Sequence, residues 1–476
     1  MFIGRERELE LLESAYSSDR FQMVVVYGRR RVGKTALLNK FISDKPHAAL
    51  LTAQQTVAQE NLERLSDALT VMDHGAKESK PRPDALATGG EQTYRSFSAA
   101  LSHAFSSSVG ERRVLVIDEY PYLAESHRGI SSLLQTLIDR HKADSKLMLI
   151  LCGSSMSFME HQVLAEKSPL YGRRTAQIKL QPFDVFEAAR MLGNPDPRKV
   201  VELYGIVGGI PLYLEQLDAT RSVEWNIAHR ILKTVTFLIA EPENFMLQEL
   251  RAPSKYNAVL SSIARGCVRP QEIADAIGAS ASLVQQYLAR LEELSIIKRI
   301  RPVTSKKKRQ VRYAICDNLF RFYYTFAIKY ATSIEAGMSD AVARRIVREE
   351  LSTYMGGVFE DVCRQWVLRK AASGELDMLP QAVGTWWGTN PHERREEEID
   401  VVAQDVDGNL LVGECEWNNA PVDASIIGVL RRRASLLQDG AGARLALFSR
   451  SGFEDECREV AHVESILLVD LDELFD

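Results

Sequence analysis

Residues 22–41 read QMVVVYGRRRVGKTALLNKF, which is an apolar run, a glycine-bounded loop and then a helical pattern. Gly28, Gly33, Lys34 and Thr35 fill the spacing GxxxxGK[ST] between the predicted strand and the predicted helix. Glycines in such a loop let backbone N–H groups surround phosphate oxygens at a helix N-terminus. This context favours a phosphate-binding P-loop over an ordinary glycine turn.

The P-loop predicts ATP or ADP and Mg²⁺ as ligands. Lys34 is expected to reach the β and γ phosphates, and Thr35 to offer its hydroxyl to Mg²⁺. The residues expected to contact the nucleotide follow the loop into the first helical turn: Gly28, Arg29, Arg30, Arg31, Val32, Gly33, Lys34, Thr35 and Ala36.

A second motif, RRVLVIDEY at residues 112–120, is a buried-strand pattern that ends in two acids. Asp118 is expected to hold the Mg²⁺ shell, and Glu119 to polarise the attacking water. Two adjacent acids at this position indicate hydrolysis as well as binding. A third strand pattern, KLMLILCGSS, ends at Ser154 and Ser155, where either a contact near the γ-phosphate or a plain exit from the strand is compatible with the sequence.

Length and composition limit the class of protein. The chain has 476 residues, of which 45% are hydrophobic, so several domains can each have a core. The N-terminal residues MFIGRERELE are charged at once and no stretch of about 18 apolar residues follows, so we expect a soluble, cytoplasmic protein without membrane segments. The six cysteines are scattered without metal-site spacing, which predicts reduced thiols.

These motifs resemble the AAA+/STAND group of P-loop ATPases, in particular an archaeal and bacterial family whose chains begin F-x-x-R-E-x-E-L. That box stands here as Phe2, Arg5, Glu6, Glu8 and Leu9. The resemblance implies that Arg5 lies near the nucleotide base and that Ser154 is a sensor. It also implies that Pro211 of GGIPLYL closes a lid. Arg173 or Arg174 of LYGRR would contact the γ-phosphate, in cis or in a neighbouring subunit of a nucleotide-dependent oligomer; a solvated basic loop is the alternative.

Residues 251–316 form a basic middle module, with 13 Lys and Arg against 4 Asp and Glu in a chain whose net charge is −5. Their pattern predicts three helices and a hairpin, the order of a winged helix-turn-helix. Leu283, Val284, Tyr287, Leu288 and Leu291 are expected to pack inward. The residues expected to contact DNA are Gln285, Gln286, Arg290, Lys306, Lys307, Lys308 and Arg309. Internal packing or protein docking remains the alternative for this module.

Two strand patterns near the C-terminus, EEEIDVVAQ and LLVGECEW, put acids on shared faces. If residues 405–409 form a five-residue loop, Asp400 pairs with Glu414, and a divalent cation would compensate their repulsion. A two-residue Asp-Gly turn would instead pair Asp400 with Cys415. An exposed acidic hairpin without a ligand is the third possibility.

The helix, strand, strand and helix order resembles the PD-(D/E)XK nuclease superfamily. The resemblance implies Mg²⁺ or Mn²⁺ at Glu360, Asp400 and Glu414, with Glu416 where the superfamily usually has a catalytic lysine. Glu416 can bind metal or accept a proton, and the missing positive charge could come from Arg431, Arg432 or Arg433.

The predicted fold is α/β: a P-loop NTPase parallel sheet, a winged helix-turn-helix, and a small PD-(D/E)XK nuclease-like domain. The predicted boundaries are an ATPase core at 1–180, a helical lid at 181–250, the winged helix at 251–316, a helical linker at 317–350 and the nuclease-like domain at 351–476. Two functions are compatible with these parts. One is an ATPase coupled to DNA binding and a metal-dependent nuclease, with Lys34, Glu119, Asp400, Glu414 and Glu416 as catalytic residues. The other is a nucleotide-dependent regulatory switch whose inactive nuclease-like domain binds DNA or a protein partner.

Overall fold

The computed structural model describes residues 2–75, 93–304 and 310–476. The chain divides into two compact units, Met1–Pro182 and Phe183–Asp476. Each unit has its own sheet and core, and each is described separately below.

The first unit is built on a parallel sheet. Among its described residues the sheet has five strands, in the order β2-β3-β4-β1-β5, and all its pairings are parallel. The strands are β1 Gln22–Tyr27, β2 Ala48–Thr52, β3 Arg113–Asp118, β4 Leu147–Gly153 and β5 Ala176–Lys179. The helices are α1 Glu6–Tyr16, α2 Lys34–Ile42, α3 Ala58–His74, α4 Phe97–Ser107, α5 Tyr120–Ser126, α6 Ile130–His141 and α7 Met156–Phe158, followed by a π-helical turn at Met159–Val163.

The β-branched and aliphatic residues of β1, β3 and β4 explain why these strands form the buried centre of a parallel sheet. Parallel strands are covered by helices on both faces and therefore have continuous apolar runs. Leu147–Gly153 is buried at every position, and Val24, Val25 and Val26 are at most 1% exposed. The carboxyl ends of β1, β3 and β4 thus meet at one edge, where the P-loop and the two polar strand ends lie. The predicted P-loop NTPase fold is confirmed.

The second unit begins with helices. They are α8 Val185–Met191, α9 Pro197–Val207, α10 Pro211–Leu214, α11 Val223–Asn226 and α12 Phe237–Glu249, with a π-helical turn at Ile227–Ile231. Gly209 precedes α10, and a Cβ there would lie 1.8 Å from the carbonyl oxygen of Phe183. Only glycine therefore permits this close backbone approach.

The basic module follows in the predicted order. It consists of α13 Pro253–Ala264, α14 Pro270–Ile277, α15 Ala281–Glu293 and an antiparallel hairpin of β6 Ile297–Ile300 and β7 Arg312–Ile315. Val284, Leu288 and Leu291 are buried in its core. The prediction for Leu283 was wrong: it is 37% exposed. It lies in the first turn of α15, about 100° around the helix from Val284, and so leaves the buried stripe.

The chain then passes through a further set of helices into a mixed sheet. These helices are α16 Asn318–Phe322, α17 Ala331–Glu335, α18 Ser339–Arg345 and α19 Leu351–Ala372, with π-helical turns at Tyr323–Ala327 and Ile346–Glu350. The sheet strands are β8 Pro380–Asn390, β9 Arg395–Asp405, β10 Leu410–Glu416, β11 Arg444–Ser449 and β12 Leu467–Val469. The remaining helices are α20 Ser425–Ala434, α21 Asp455–Glu464 and α22 Leu471–Phe475, with a 3₁₀ turn at Gly440–Gly442.

Among the described residues this second sheet has the order β12-β11-β10-β9-β8. The β8, β9 and β10 strands are antiparallel, whereas β10, β11 and β12 are parallel. Helix α19 packs on β8, β9 and β10 through Phe359, Val362 and Val367, which are buried. The predicted α/β class of the C-terminal domain is confirmed, and its sheet is mixed.

Candidate functional sites

The P-loop wraps tightly between β1 and α2. Gly28 has φ 158°, and a Cβ there would lie 2.5 Å from the carbonyl oxygen of Leu180. Gly33 has φ 91° and caps α2, so its backbone conformation favours glycine. The Nζ of Lys34 donates to the carbonyl oxygens of Gly28 at 2.9 Å and Arg29 at 3.0 Å. The lysine is 6% exposed, and burial lowers its pKa.

Thr35 and Asp118 lie together across the loop and the end of β3. The Oγ1 of Thr35 donates to Oδ2 of Asp118 at 2.7 Å, and Oδ1 of Asp118 accepts from the Glu119 amide at 2.9 Å. Asp118 is 2% exposed. A hydroxyl and a carboxylate are the oxygen donors that Mg²⁺ takes beside nucleotide phosphates. This pair therefore fits the predicted Mg²⁺ site.

Glu119 is held by the neighbouring strand. It has φ 51°, a left-handed conformation that is uncommon for residues other than glycine, and it is the N-cap residue of α5. Its Oε2 accepts from Oγ of Ser154 at 2.9 Å and from the Ser154 amide at 3.3 Å. A carboxylate fixed in this way can orient a water molecule and accept its proton. The structure thus brings together two residues that the sequence placed 35 positions apart.

Arg5 braces the P-loop from outside. Its guanidinium donates to the carbonyl oxygens of Val32 at 3.1 Å and Gln181 at 2.7 Å, and the residue is 5% exposed. Arg30 donates to the hydroxyl of Tyr122 at 3.2 Å. The opening box therefore supports the loop backbone directly, a role that the sequence pattern did not suggest.

The remaining residues that the sequence predicted to contact the nucleotide lie in different parts of the structure. Arg173 pairs with Asp139 of α6 at 2.5 Å, and Arg174 donates to the carbonyl oxygen of Leu164 at 3.1 Å. Both arginines therefore have protein partners in this conformation. Pro211 is the first residue of α10, in the second unit. Ala36 is exposed on the first turn of α2.

Strands β9 and β10 pair in the register that places Asp400 opposite Glu414. The pairs run from Leu410 with Gln404 to Gly413 with Val401, so the next position aligns Glu414 with Asp400. The two-residue turn is excluded. At this point the Cys415 amide donates to Oδ2 of Asp400 at 2.9 Å.

Glu360 of α19 belongs to the same group of acids. Burial raises the pKa of Glu360, and the charge of Asp400 raises it further. Burial also raises the pKa of Asp400, with repulsion from Glu414 as the next cause. The three carboxyl groups are therefore close enough to destabilise one another's charged forms. We call Glu360, Asp400 and Glu414 the carboxylate cluster.

Arg433 of α20 supplies a cation to this cluster. It pairs with Oε1 of Glu414 and, at 3.2 Å, with Oε2 of Glu397, which is 4% exposed. The Oε2 of Glu414 is buried and has no hydrogen-bond partner. Glu416 is partly buried and accepts from Asn418. Of the three arginines considered from the sequence, Arg433 is the one that reaches Glu414, whereas Arg431 pairs with Glu464 and Arg432 with Glu393.

The predicted second metal site is incomplete in this conformation. Within residues 2–75, 93–304 and 310–476, no three His, Cys, Asp or Glu side chains are grouped as metal ligands. The unpaired Oε2 of Glu414 and the repulsion among the three carboxyl groups would favour a bound cation. Arg433 already pairs with Oε1 of Glu414. In this conformation Glu414 therefore offers a metal only Oε2, unless Arg433 moves away.

The residues of the basic module that were predicted to contact DNA differ in how exposed their side chains are. Gln285 and Gln286 are exposed on α15. Arg290 pairs with Glu293 at 2.9 Å and is partly buried, so it does not face outward freely. Lys306, Lys307, Lys308 and Arg309 lie outside the described residues.

Other cations of the module pair with acids of the C-terminal sheet and α19. Arg312 pairs with Glu396 and, at 2.9 Å, with Glu398, while Arg269 pairs with Glu396 at 2.9 Å. These ion pairs join residues far apart in the sequence. The acidic run of β9 was the one feature of the sequence that could have indicated them.

No helix in the described part of the chain has the length and apolar character needed to cross a membrane.

Comparisons with known proteins identify similarities along most of the chain. A family described as an ATPase domain predominantly from Archaea matches residues 2–217, and a family of archaeal and bacterial proteins of unknown function matches residues 323–427. An uncharacterized protein of Methanocaldococcus jannaschii, MJECL04, is 31% identical over 422 residues, which are 88% of each chain.

Two solved structures are similar at lower identity. The Walker-type ATPase PABY2304 of Pyrococcus abyssi is 22% identical, with a TM-score of 0.48 over 68% of this chain and 96% of that one. The ORC2 protein of Aeropyrum pernix is 15% identical, with a TM-score of 0.39 over 71% and 96% of the two chains.

Proposed function

Given that this chain belongs to the predominantly archaeal family of P-loop ATPases and is itself an ATPase, we propose that it uses ATP to act on DNA. The basic module at 251–316 would bind the DNA, and the carboxylate cluster of the domain at 351–476 would cut it with the help of a divalent metal. The two assignments rest on different residues and are tested separately.

In the ATPase reaction, Lys34 leaves the carbonyl oxygens of Gly28 and Arg29 to contact the β and γ phosphates. Thr35 and Asp118 would hold Mg²⁺, which would supply positive charge beside the phosphate oxygens. Glu119 orients the attacking water and accepts its proton, and Ser154 holds the Glu119 carboxylate in place.

The observation that supports nuclease chemistry is the register of β9 and β10, which brings Asp400 and Glu414 together beside Glu360. Buried carboxylates that repel one another are stabilised by a divalent cation with oxygen ligands. Asp400 and Glu414 would be the principal ligands, with Glu360 as the third. Glu416 would accept the proton from water, and Arg433 would supply the positive charge that the glutamate cannot.

For DNA binding, the support is the basic character of the module and the exposure of Gln285 and Gln286 on α15. A glutamine side chain can form two hydrogen bonds with an adenine edge, and the lysines and arginines of the module would contact phosphates. The affinity is therefore expected to fall as the salt concentration rises.

The test of nuclease function is a cleavage assay with plasmid and linear DNA in Mg²⁺ or Mn²⁺, with and without ATP. Wild-type protein is expected to cut in the presence of metal, and the double variant Asp400→Ala/Glu414→Ala to lose cutting while it retains ATP turnover. Cutting that persists in the double variant would reject the carboxylate cluster as the active site.

A second function is supported by Arg433, which holds Glu414 as an ion pair. In this alternative the C-terminal domain is an inactive scaffold, and the ATPase is a nucleotide-dependent switch that binds DNA or a protein partner. No cleavage under any condition, together with an oligomeric state that differs between ADP and a non-hydrolysable ATP analogue in light scattering, would favour the switch.

A further inference from the structure

A cavity of about 330 Å³ lies within the second unit. It is lined by the end of α13, the hairpin of the basic module, α16 with the π-helical turn that follows it, and α19. Its volume is at the lower end of the range typical of small-molecule sites. Ile263, Tyr313 and Ile315 form part of its apolar wall, and charged side chains line the remainder. The cavity is thus amphipathic, with a wall for a flat or apolar group and a charged end.

The charged end has an excess of cations. Lys298, Arg321 and Arg364 line the cavity together with Glu360 and Asp361. Asp361 accepts from Lys298 at 2.6 Å and from Arg364 at 2.9 Å. The negative charge of Asp361 is therefore already paired with Lys298 and Arg364.

Arg321 is the third cation, and in the described part of the chain no carboxylate or carbonyl oxygen pairs with its guanidinium. The guanidinium lies over the ring of Tyr354, with 5.1 Å between its central carbon and the ring centroid. A guanidinium over an aromatic ring is attracted by the ring while its N–H groups stay available for hydrogen bonds.

Gly357 of α19 makes this placement possible. A Cβ at position 357 would lie 2.7 Å from Nη2 of Arg321. Glycine inside a helix costs about 1 kcal/mol relative to alanine, so its presence in the middle of α19 is unfavourable for the helix itself. The absence of a side chain here leaves room for the guanidinium.

We propose that this cavity binds the phosphate group of a nucleotide, with the guanidinium of Arg321 donating two hydrogen bonds to phosphate oxygens. The planar fork of an arginine matches a phosphate in this way. The apolar wall would receive the sugar or the base. The source is either a free nucleotide or the terminal nucleotide of a DNA strand. The proposal does not depend on DNA cutting by the carboxylate cluster.

The test is isothermal titration of full-length protein that has been loaded with ADP and Mg²⁺ and then separated from unbound ADP by gel filtration, so that the P-loop stays occupied and no free ADP competes for the cavity. The probes are thymidine 5′-monophosphate and thymidine, which differ only in the phosphate. Saturable binding of the monophosphate and none of thymidine is expected. Arg321→Gln is expected to weaken binding about 10- to 100-fold, the effect of losing charged hydrogen bonds.

Two further variants make the result specific. Gly357→Ala displaces the guanidinium without removing it, and it is expected to weaken binding while α19 stays folded, as judged by circular dichroism. Arg344→Gln removes an arginine of α18 that is 59% exposed and does not line the cavity, so it is expected to bind as wild type does.

No binding of the monophosphate by wild type, or equal binding by Arg321→Gln, would overturn the proposal. A comparison of 5′-phosphorylated and unphosphorylated pentathymidylate then identifies the source. Tighter binding of the phosphorylated strand than of the free monophosphate would assign the pocket to a strand end, and the reverse would assign it to a free nucleotide.

Discussion

The two acidic sites of this protein differ in how their side chains are brought together. Asp118 and Glu119 are adjacent in sequence at the end of β3, and each accepts a hydrogen bond from a hydroxyl. Thr35 donates to Asp118 at 2.7 Å, and Ser154 donates to Glu119 at 2.9 Å. The carboxylate cluster instead draws one residue each from α19, β9 and β10. Its electrostatic balance depends on an arginine from a fourth element, α20.

This difference shows what each site needs in order to bind its ligand. In the P-loop site the lysine and the threonine are held by groups that phosphate and Mg²⁺ can replace. In the carboxylate cluster Arg433 pairs with Glu414, a residue that the proposed metal would also use. The first site thus holds its side chains ready for the nucleotide, whereas the second offers a metal only the unpaired oxygen of Glu414 unless Arg433 moves. The following predictions test that contrast, in order of decreasing effect.

Lys34→Ala is expected to have the largest effect, a fall of at least about 100-fold in ATP turnover, since the lysine acts on the transferred phosphate. The free energy of unfolding should change little because the ammonium contacts only loop carbonyl oxygens. Phosphate release at saturating ATP measures the turnover. Lys40→Ala, an exposed lysine of the same helix, is the matched control. Turnover retained in Lys34→Ala would contradict the assigned site.

Arg433→Ala is expected to lower the free energy of unfolding of the C-terminal domain by about 2–3 kcal/mol, because nearly buried Glu414 and Glu397 lose a charged partner. Urea unfolding followed by tryptophan fluorescence measures this effect, as four of the five tryptophans lie within residues 351–476. Arg432→Ala is the control: its side chain is 45% exposed, and its pair with Glu393 is worth at most about 1 kcal/mol.

The same variant also separates a metal site from a plain ion pair. If the cluster binds metal, Mn²⁺ should stabilise Arg433→Ala more than wild type, because Glu414 is free to bind the ion. Equal stabilisation of the two proteins would count against a metal site at Glu414.

Ser154→Ala is expected to lower the ATP turnover about 5-fold, which corresponds to the loss of one hydrogen bond worth about 1 kcal/mol. Nucleotide affinity should stay near that of wild type because Ser154 contacts Glu119 and not the loop. Ser157→Ala, three residues further along, is the control for a change in the same segment. A turnover equal to that of wild type would show that Glu119 is positioned without Ser154.

The smallest effect is expected for Glu396→Gln/Glu398→Gln. These changes release Arg312 and Arg269 for contact with phosphate, so DNA affinity should rise several-fold at low salt and the gain should vanish at high salt. Fluorescence anisotropy of a labelled duplex measures the affinity. Glu456→Gln/Glu459→Gln gives the same change in net charge on exposed residues of α21, and an equal gain there would rule out a specific effect of the ion pairs.

The sequence predicted the P-loop fold because the motif is contiguous and its strand and helix are local. It limited the register of β9 and β10 to two choices, and the structure has the one that aligns Asp400 with Glu414. It did not reveal that Arg433 rather than Arg431 or Arg432 reaches Glu414, because that depends on how α20 packs on the sheet. The exposure of Leu283 likewise depends on how the first turn of α15 packs.

The most direct test of the central proposal is the number of Mn²⁺ ions bound by nucleotide-free protein, measured by isothermal titration of wild type and of Asp400→Ala/Glu414→Ala. The proposal of a carboxylate metal site predicts that wild type binds one more ion than the double variant, while both turn over ATP. The same stoichiometry and affinity in the two proteins would contradict it, and would identify the cluster as an ion-pair network without a metal.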